Sequence, residues 1–408
     1  MPRQHTLPRA ISAILTVAVL LLSLAALPAA ASEPAPAAVP ASAPPGSALP
    51  ALGLSADSFT LAGQPFEIRG VNYIRSTASD PDCPELHFGA DGRCPWDQAA
   101  IDADMERLRA LGVNTVRIFL NYYVFGGARA SNASYNAEPA LRHLEVFIES
   151  ANHQGIYVLP VLLAKYPQDR FRAEEYEQAA SLHIGPIVSR FAGHPGILGW
   201  DLFNEPDIGS PIDQRCWDWD NGDFPLCAVL AEQRAAFLAR MVHDVRWLDP
   251  ERPLTISMAF AKSYFRPAGP VQHLAAIVDF YSFHYYDDDP YDSGRYAAHW
   301  YYGEGFPRDL RRSVDELHAL ARFKPVLITE LGFPSGEGAR RDETSLRRDL
   351  AQGLVTSREA LAAGVLLWPF QPTPEALVGD LFLPASVRIA QAATMPPAAG
   401  AWATVRKH

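Results

Sequence analysis

Positive charge is in short supply in this chain. Its 408 residues carry 35 Lys and Arg against 46 Asp and Glu, a formal net charge of −11. That balance argues against nucleic acid or an anionic polymer as partner and favours a neutral one. Cysteine is scarce too, and the four residues present, Cys83, Cys94, Cys216 and Cys227, show no close C-x-x-C spacing, so no metal site is expected from them. No Gly-rich phosphate turn follows the first strand, which argues against a doubly wound dinucleotide fold. Beyond the N-terminal region no run of ~18 or more apolar residues occurs. Repeats of solenoid type and a second domain are also missing.

What is present begins at the N-terminus. Arg3 and Arg9 precede an apolar stretch from Ile11 to Leu27, followed by Ala29-Ala30-Ala31. This is the pattern of a secretory signal peptide over residues 1–31; an uncleaved anchor is the alternative. Residues 32–55 are Ala/Pro-rich and read as an extended linker. Export makes disulfides plausible for an even number of cysteines. Of the three possible pairings, Cys83–Cys94 and Cys216–Cys227 are favoured, because each pair brackets one polar loop. The mature protein is expected to be secreted, soluble and monomeric.

One folded domain is expected over residues 56–396, before a tail over 397–408. Phe59–Ile68 reads as a short hairpin turning at Gly63. Strands then alternate with helices: Phe66–Tyr73, Thr115–Leu120, Ile156–Leu163, Ile197–Asn204, Leu254–Met258, Val278–His284, Pro325–Glu330 and Gly364–Trp368. Helices are expected over Ala99–Leu111, Leu141–Gln154, Glu174–Phe191 and Ala228–Trp247, with two more around Leu310–Ala321 and Ser345–Ala362. The strands are nearly continuous apolar runs, as parallel strands covered by helices are. Eight such units predict an α/β fold, a (β/α)8 TIM barrel. The longest loops follow strands one, four and six.

In such a barrel the C-terminal tips of the strands converge. Read in order, the tips carry Arg117, Asn204 with Glu205, His284 with Tyr286, Glu330 and Trp368. A carboxylate at the end of a buried strand is costly without a task, and two of them fit the paired carboxyl groups that glycosidic cleavage needs. The segments Gly-Val-Asn-Thr-Val-Arg-Ile (112–118), Asn-Glu-Pro (204–206), Phe-His-Tyr-Tyr (283–286), Ile-Thr-Glu-Leu-Gly (328–332) and Leu-Leu-Trp (366–368) resemble clan A glycoside hydrolases, most closely the family 5 cellulases and mannanases. The resemblance covers about residues 57 to 370. It implies retention of anomeric configuration, with Glu205 as acid/base and Glu330 as nucleophile. Arg117, Asn204, His284, Tyr286 and Trp368 would bind substrate or tune these acids. A neutral β-linked oligo- or polysaccharide is the expected substrate, with no cofactor required.

The resemblance has a departure: family 5 enzymes usually carry a His at the end of strand three, and Leu159-Pro-Val-Leu-Leu-Ala-Lys-Tyr has none. Rival readings are an exo-acting glycosidase or transglycosylase, and a barrel that binds carbohydrate without catalysis. Tyr122, Tyr123, Trp217, Trp219, Tyr291, Trp300, Tyr301 and Tyr302 either line sugar subsites or hold the long loops. Asp287-Asp288-Asp289 reads as a solvated turn, with calcium binding as the alternative.

Overall fold

The computed structural model describes residues 49–74, 88, 96–167, 170–207, 225–264, 275–287, 301–320, 324–333, 341–368 and 381–383. Among these, three short strands, β1 (Gly53–Leu54), β2 (Phe59–Leu61) and β3 (Gln64–Phe66), form an antiparallel sheet. Eight more close into a barrel: β4 (Ile68–Asn72), β5 (Thr115–Asn121), β6 (Tyr157–Ala164), β7 (Trp200–Asn204), β8 (Leu254–Met258), β9 (Tyr281–Tyr286), β10 (Val326–Gly332) and β11 (Gly364–Leu367). Every neighbouring pair is parallel, and β11 returns to β4 through Gly364↔Ile68 and Leu367↔Val71. Helices lie between the strands, so the fold is the expected (β/α)8 barrel.

The antiparallel sheet covers one end. Leu49, Leu52, Phe59 and Phe66 are buried in one cluster with Tyr157, Leu198, Phe280, Leu327 and Ala363, residues at or just before the N-terminal ends of barrel strands. Phe59 packs edge-on to Phe280 at 5.1 Å, and the Tyr157 hydroxyl donates to the Pro50 carbonyl at 2.7 Å. The expected linker over 32–55 therefore ends earlier. Leu49 and Leu52 already pack under the barrel, and Gly53–Leu54 adds a third strand to the expected hairpin. With its bottom filled by apolar side chains, the barrel offers its other, C-terminal end to solvent and substrate.

Two departures from regular alternation matter for that end. Ile328 pairs with Phe283 but Glu330 with His284, so β10 carries one extra residue, Thr329. Asp201 pairs with Thr255 but Asn204 with Ser257, which inserts an extra residue in β7. Strict alternation would send Thr329 and Glu330, or Asp201 and Asn204, to opposite faces; a bulge re-aims one of each pair.

The helix expected over Glu174–Phe191 is interrupted by a π turn at Ala180–Ile184. Pro186 lacks an N–H and its ring would crowd the carbonyl of Leu182 in a regular helix; the wider turn relieves this. A Cβ on Gly126 would stand 1.7 Å from the Leu182 oxygen. Gly126 also has φ of 154°. Neither backbone carbonyl nor turn can yield cheaply. Gly126→Ala is expected to cost at least about 2 kcal/mol in denaturant unfolding; an unchanged midpoint would refute this packing.

Candidate active site

The seven side chains read from the strand tips meet at one end of the barrel. Arg117 on β5 is fully buried. Its Nε donates to Asp201 at 2.8 Å. One terminal nitrogen donates to Asn72 at 2.9 Å and to Glu330 at 2.6 Å, and the other to Asn204 at 2.7 Å. A buried guanidinium is tolerable only with such complete pairing. Because Arg117 takes the Asn204 oxygen, the amide of Asn204 keeps its two N–H donors for another partner. Asn72 is fixed the same way. Its oxygen faces Arg117, and its nitrogen donates to the carbonyls of Thr329 at 2.8 Å and Leu367 at 3.2 Å.

The two glutamates sit in different surroundings. Glu330 is buried, with one oxygen on Arg117 and the other accepting from the Tyr286 hydroxyl. Burial pushes its carboxyl up, while Arg117 and the Tyr286 hydroxyl oppose that rise. Among the described residues, Glu205 has no cation in contact. Its side chain is 22% exposed at the cleft, and one oxygen lies 2.7 Å from Nδ1 of His284. Burial raises its carboxyl to about 7, against a pull from the charge of Arg117. Burial is thus the main cause for Glu205. Of the two acids, Glu330 ionises first, because only its carboxylate is held by a guanidinium and a hydroxyl.

His284 stands between them. Burial lowers its pKa to about 4, so the ring is neutral near neutral pH. A protonated Glu205 then donates to Nδ1, which leaves the ring proton on Nε2. That Nε2 is buried without a hydrogen-bond partner among the described residues, 3.4 Å from Glu330. An oxygen of Glu205, a nitrogen of His284 and an oxygen of Glu330 all lie within 4.8 Å of one another. Their donor types would suit a metal ion, but Arg117 and Tyr286 already occupy the Glu330 oxygens.

A cleft of about 330 Å³ opens over this group. Phe119, Ala164, Lys165, Asn204, Glu205, Tyr286, Glu330 and Trp368 line it. Trp368 is half-buried and meets Phe119 edge-on at 5.7 Å, while the Arg117 guanidinium lies 4.8 Å from the Phe119 ring centre on the same face of β5. At the tip of β6, where a His is usual in the family the sequence resembles, stands Lys165, exposed and with φ of 55°. His183 is buried elsewhere, with Nε2 2.5 Å from the Leu162 carbonyl.

Sequence reasoning missed Asn72, Asp201 and Phe119. Asn72 ends the first barrel strand and was open to the same reading of strand tips. Asp201 is a charge inside an apolar strand, a signal that burial must be compensated. Among the loop aromatics, Tyr122 is buried and Tyr123 exposed. Tyr301 brackets the Tyr286 peptide, its hydroxyl donating to the carbonyl at 2.5 Å and accepting from the N–H at 3.3 Å. Tyr302 is flanked by Lys262 and Arg312. Trp217, Trp219, Tyr291 and Trp300 lie outside the described residues. Asp287 pairs with Arg341, and Asp288 and Asp289 lie outside. So do Cys83, Cys94, Cys216 and the side chain of Cys227, and with them the expected disulfides.

No family model matches the sequence, nor does any curated protein sequence. Solved structures do. The chain is similar to the endo-1,4-β-mannanase of Rhizomucor miehei, at 15% identity over 84% of this chain and 100% of that one, with a TM-score of 0.56. The β-1,4-mannanase of the sea hare Aplysia kurodai matches at 17% identity over 82% and 97%, TM-score 0.56. A GH2 β-galacturonidase from Eisenbergiella tayi matches at 19% over 78% of this chain and 46% of its own, TM-score 0.50. The likeness is one of fold. These barrels belong to glycosidases, and this chain shares their architecture at identities too low to carry more.

Arg117 gives a direct test of the site's construction. Arg117→Met would leave Asp201 and Glu330 buried without their cation, a loss expected to cost about 3–5 kcal/mol of stability. Denaturant unfolding of the variant measures this; a change below ~1 kcal/mol would mean that the carboxylates are neutral without Arg117.

Proposed function

We propose that this protein is a secreted retaining β-glycoside hydrolase of the clan A barrel type, acting on a neutral β-linked glucan or mannan. One observation carries the reading: two glutamates at one cleft, with oxygens within 4.8 Å, of which only Glu330 is held by a guanidinium and a hydroxyl. Retaining cleavage works with carboxyl groups ~5–5.5 Å apart, whereas inversion needs room for a water between them at ~6.5–9.5 Å. The cleft geometry supports the first.

The chemistry follows from the settings of the two acids. Glu330, ionised under Arg117 and Tyr286, attacks the anomeric carbon. The glycosidic bond breaks as Glu205 gives its proton to the departing oxygen, and a glycosyl ester on Glu330 forms. Glu205, now a carboxylate, takes a proton from water. That water's oxygen bonds to the anomeric carbon, and the ester bond returns its electrons to Glu330. The amide N–H groups of Asn204 suit a sugar hydroxyl next to the reacting carbon, and Trp368 offers a flat apolar face to the ring. Both steps use only these carboxylates and water. The mannanases with the same fold support a polysaccharide substrate, and the acidic net charge supports a neutral one. Secretion rests on the N-terminal sequence.

Glu330→Ala should abolish turnover of any β-glycoside, because no ester can form. Glu205→Ala should keep weak activity on aryl glycosides with good leaving groups and lose ~10²–10⁴-fold on unactivated oligosaccharides. Azide should then accelerate its second step. Steady-state kinetics on both substrate types test this, and near wild-type turnover by the Glu330 variant would remove the assignment.

The pH profile tests the roles themselves. Below the Glu330 pKa the nucleophile is protonated and rate is lost; above the Glu205 pKa the acid has lost its proton and rate is lost again. kcat/KM should therefore be bell-shaped, with its basic limb near pH 7, where Glu205 titrates. Glu205→Gln assayed with an activated aryl glycoside should lose the basic limb. A limb that persists would assign it to another group.

A further inference from the structure

Glu205 has φ of 51°, a left-handed conformation that costs a non-glycine residue of order 1–3 kcal/mol and persists only where its surroundings over-determine it. What holds it can be followed residue by residue. The Glu205 N–H donates to the Ser257 carbonyl at 2.8 Å. Arg234, buried on the helix Pro225–Leu248, donates to the Pro206 carbonyl at 2.7 Å. Asp207 is fully buried. It accepts from the N–H groups of Ala259 at 2.8 Å and Phe260 at 3.2 Å, and from the Ser263 hydroxyl at 2.5 Å. Three consecutive residues are thus fastened to β8, to the segment that follows it and to one helix. A buried carboxylate is an expensive fastener, and neither catalytic step uses it.

We propose that Asp207 is a positioning residue for Glu205: it locks the left-handed turn that aims the acid into the cleft. The role rests on Glu205 being the acid, as proposed above. Burial raises the Asp207 carboxyl to about 6, with the charge of Glu205 adding to the rise and its hydrogen bonds opposing it. The other charged or titratable groups around this pair are Arg117 from β5, Lys165 at the tip of β6, Arg234 from its helix, Lys262 after β8, His284 and Tyr286 from β9, and Glu330 from β10. Arg117 is already matched by Asp201 and Glu330, Lys262 donates to the Tyr301 carbonyl at 2.7 Å, and His284 is neutral. Among these groups it is Asp207 that ties the turn to the segment after β8.

The test compares wild type, Asp207→Asn and Ser263→Ala. In Asp207→Asn, kcat/KM on an unactivated oligosaccharide should fall ~10–100-fold, and far less on an activated aryl glycoside, because a misaimed acid matters only where a proton is needed. Ser263→Ala loses one bond of the fastening, so it should show a smaller split of the same kind. Equal losses on both substrates, in whichever variant folds, would reduce Asp207 to a stability residue and overturn the proposal. A wild-type protein that cleaves no β-glycoside would overturn the functional reading alone, and the backbone conformation of residue 205 in a crystal structure of Asp207→Asn would still decide the positioning role: an unchanged left-handed φ there would overturn it.

Discussion

One buried guanidinium organises the C-terminal end of this barrel. Arg117 donates to side chains that come from β4, β7 and β10, strands brought around it only by closure of the barrel. Two carboxylates face its charge, and two amides take two more of its N–H groups. A lysine could not serve, since its three donors on one point cannot reach acceptors spread in a plane. The consequence reaches the chemistry. Arg117 favours the carboxylate form of Glu330 and turns the Asn204 amide so that its donors face outward, while Glu205, outside this net, has its carboxyl raised by burial.

Asp201 extends the net inward. It accepts from the N–H and hydroxyl of Ser257 at 3.0 and 2.6 Å. That hydroxyl lies 3.0 Å from both Ser282 and Thr329, and Ser282 lies 2.9 Å from Thr255. A chain of small hydroxyls therefore fills the barrel between the Arg117 cluster and the apolar plug at the bottom. Small polar side chains on β8, β9 and β10 give the charged cluster partners on every side, which a core of leucines would not. The bulges in β7 and β10 belong to the same construction. Each places two residues on the barrel interior, Asp201 with Asn204 and Thr329 with Glu330, where alternation would allow one.

The strands, their order and the seven tip residues were legible because they follow from local rules: apolar runs bounded by Gly or Pro, and chemistry at C-terminal ends. Register was not. An extra residue in a strand leaves no mark on composition, so the interior partners Asp201 and Thr329 went unread beside Glu330. Asn72 escaped because a lone Asn at a strand end is common. Asp207 escaped because its partners are backbone N–H groups 52 and 53 residues away, invisible to any short pattern. The linker boundary was misplaced for a related reason. Leu49 and Leu52 look like two leucines in an Ala/Pro-rich stretch until the barrel bottom that buries them exists.

The division of labour between the two ends explains why the site can hold so much unfavourable structure. At the bottom, Phe59, Phe66, Leu198, Phe280, Leu327 and Leu366 meet as an apolar cluster, and around the outside the helices bury the larger part of the core. Those contacts gain free energy with area and tolerate little polarity. At the top stand the terms that cost: a buried Arg–carboxylate group, a histidine kept neutral, a glutamate in left-handed conformation and a second buried aspartate behind it. Each is compensated locally by hydrogen bonds, yet none would be chosen for stability over a well-packed apolar replacement. Their concentration at one end, around one cleft, is what distinguishes a site from a core. The fold supplies the stability from elsewhere, so the strained and charged groups are free to be set by what they must do to a substrate.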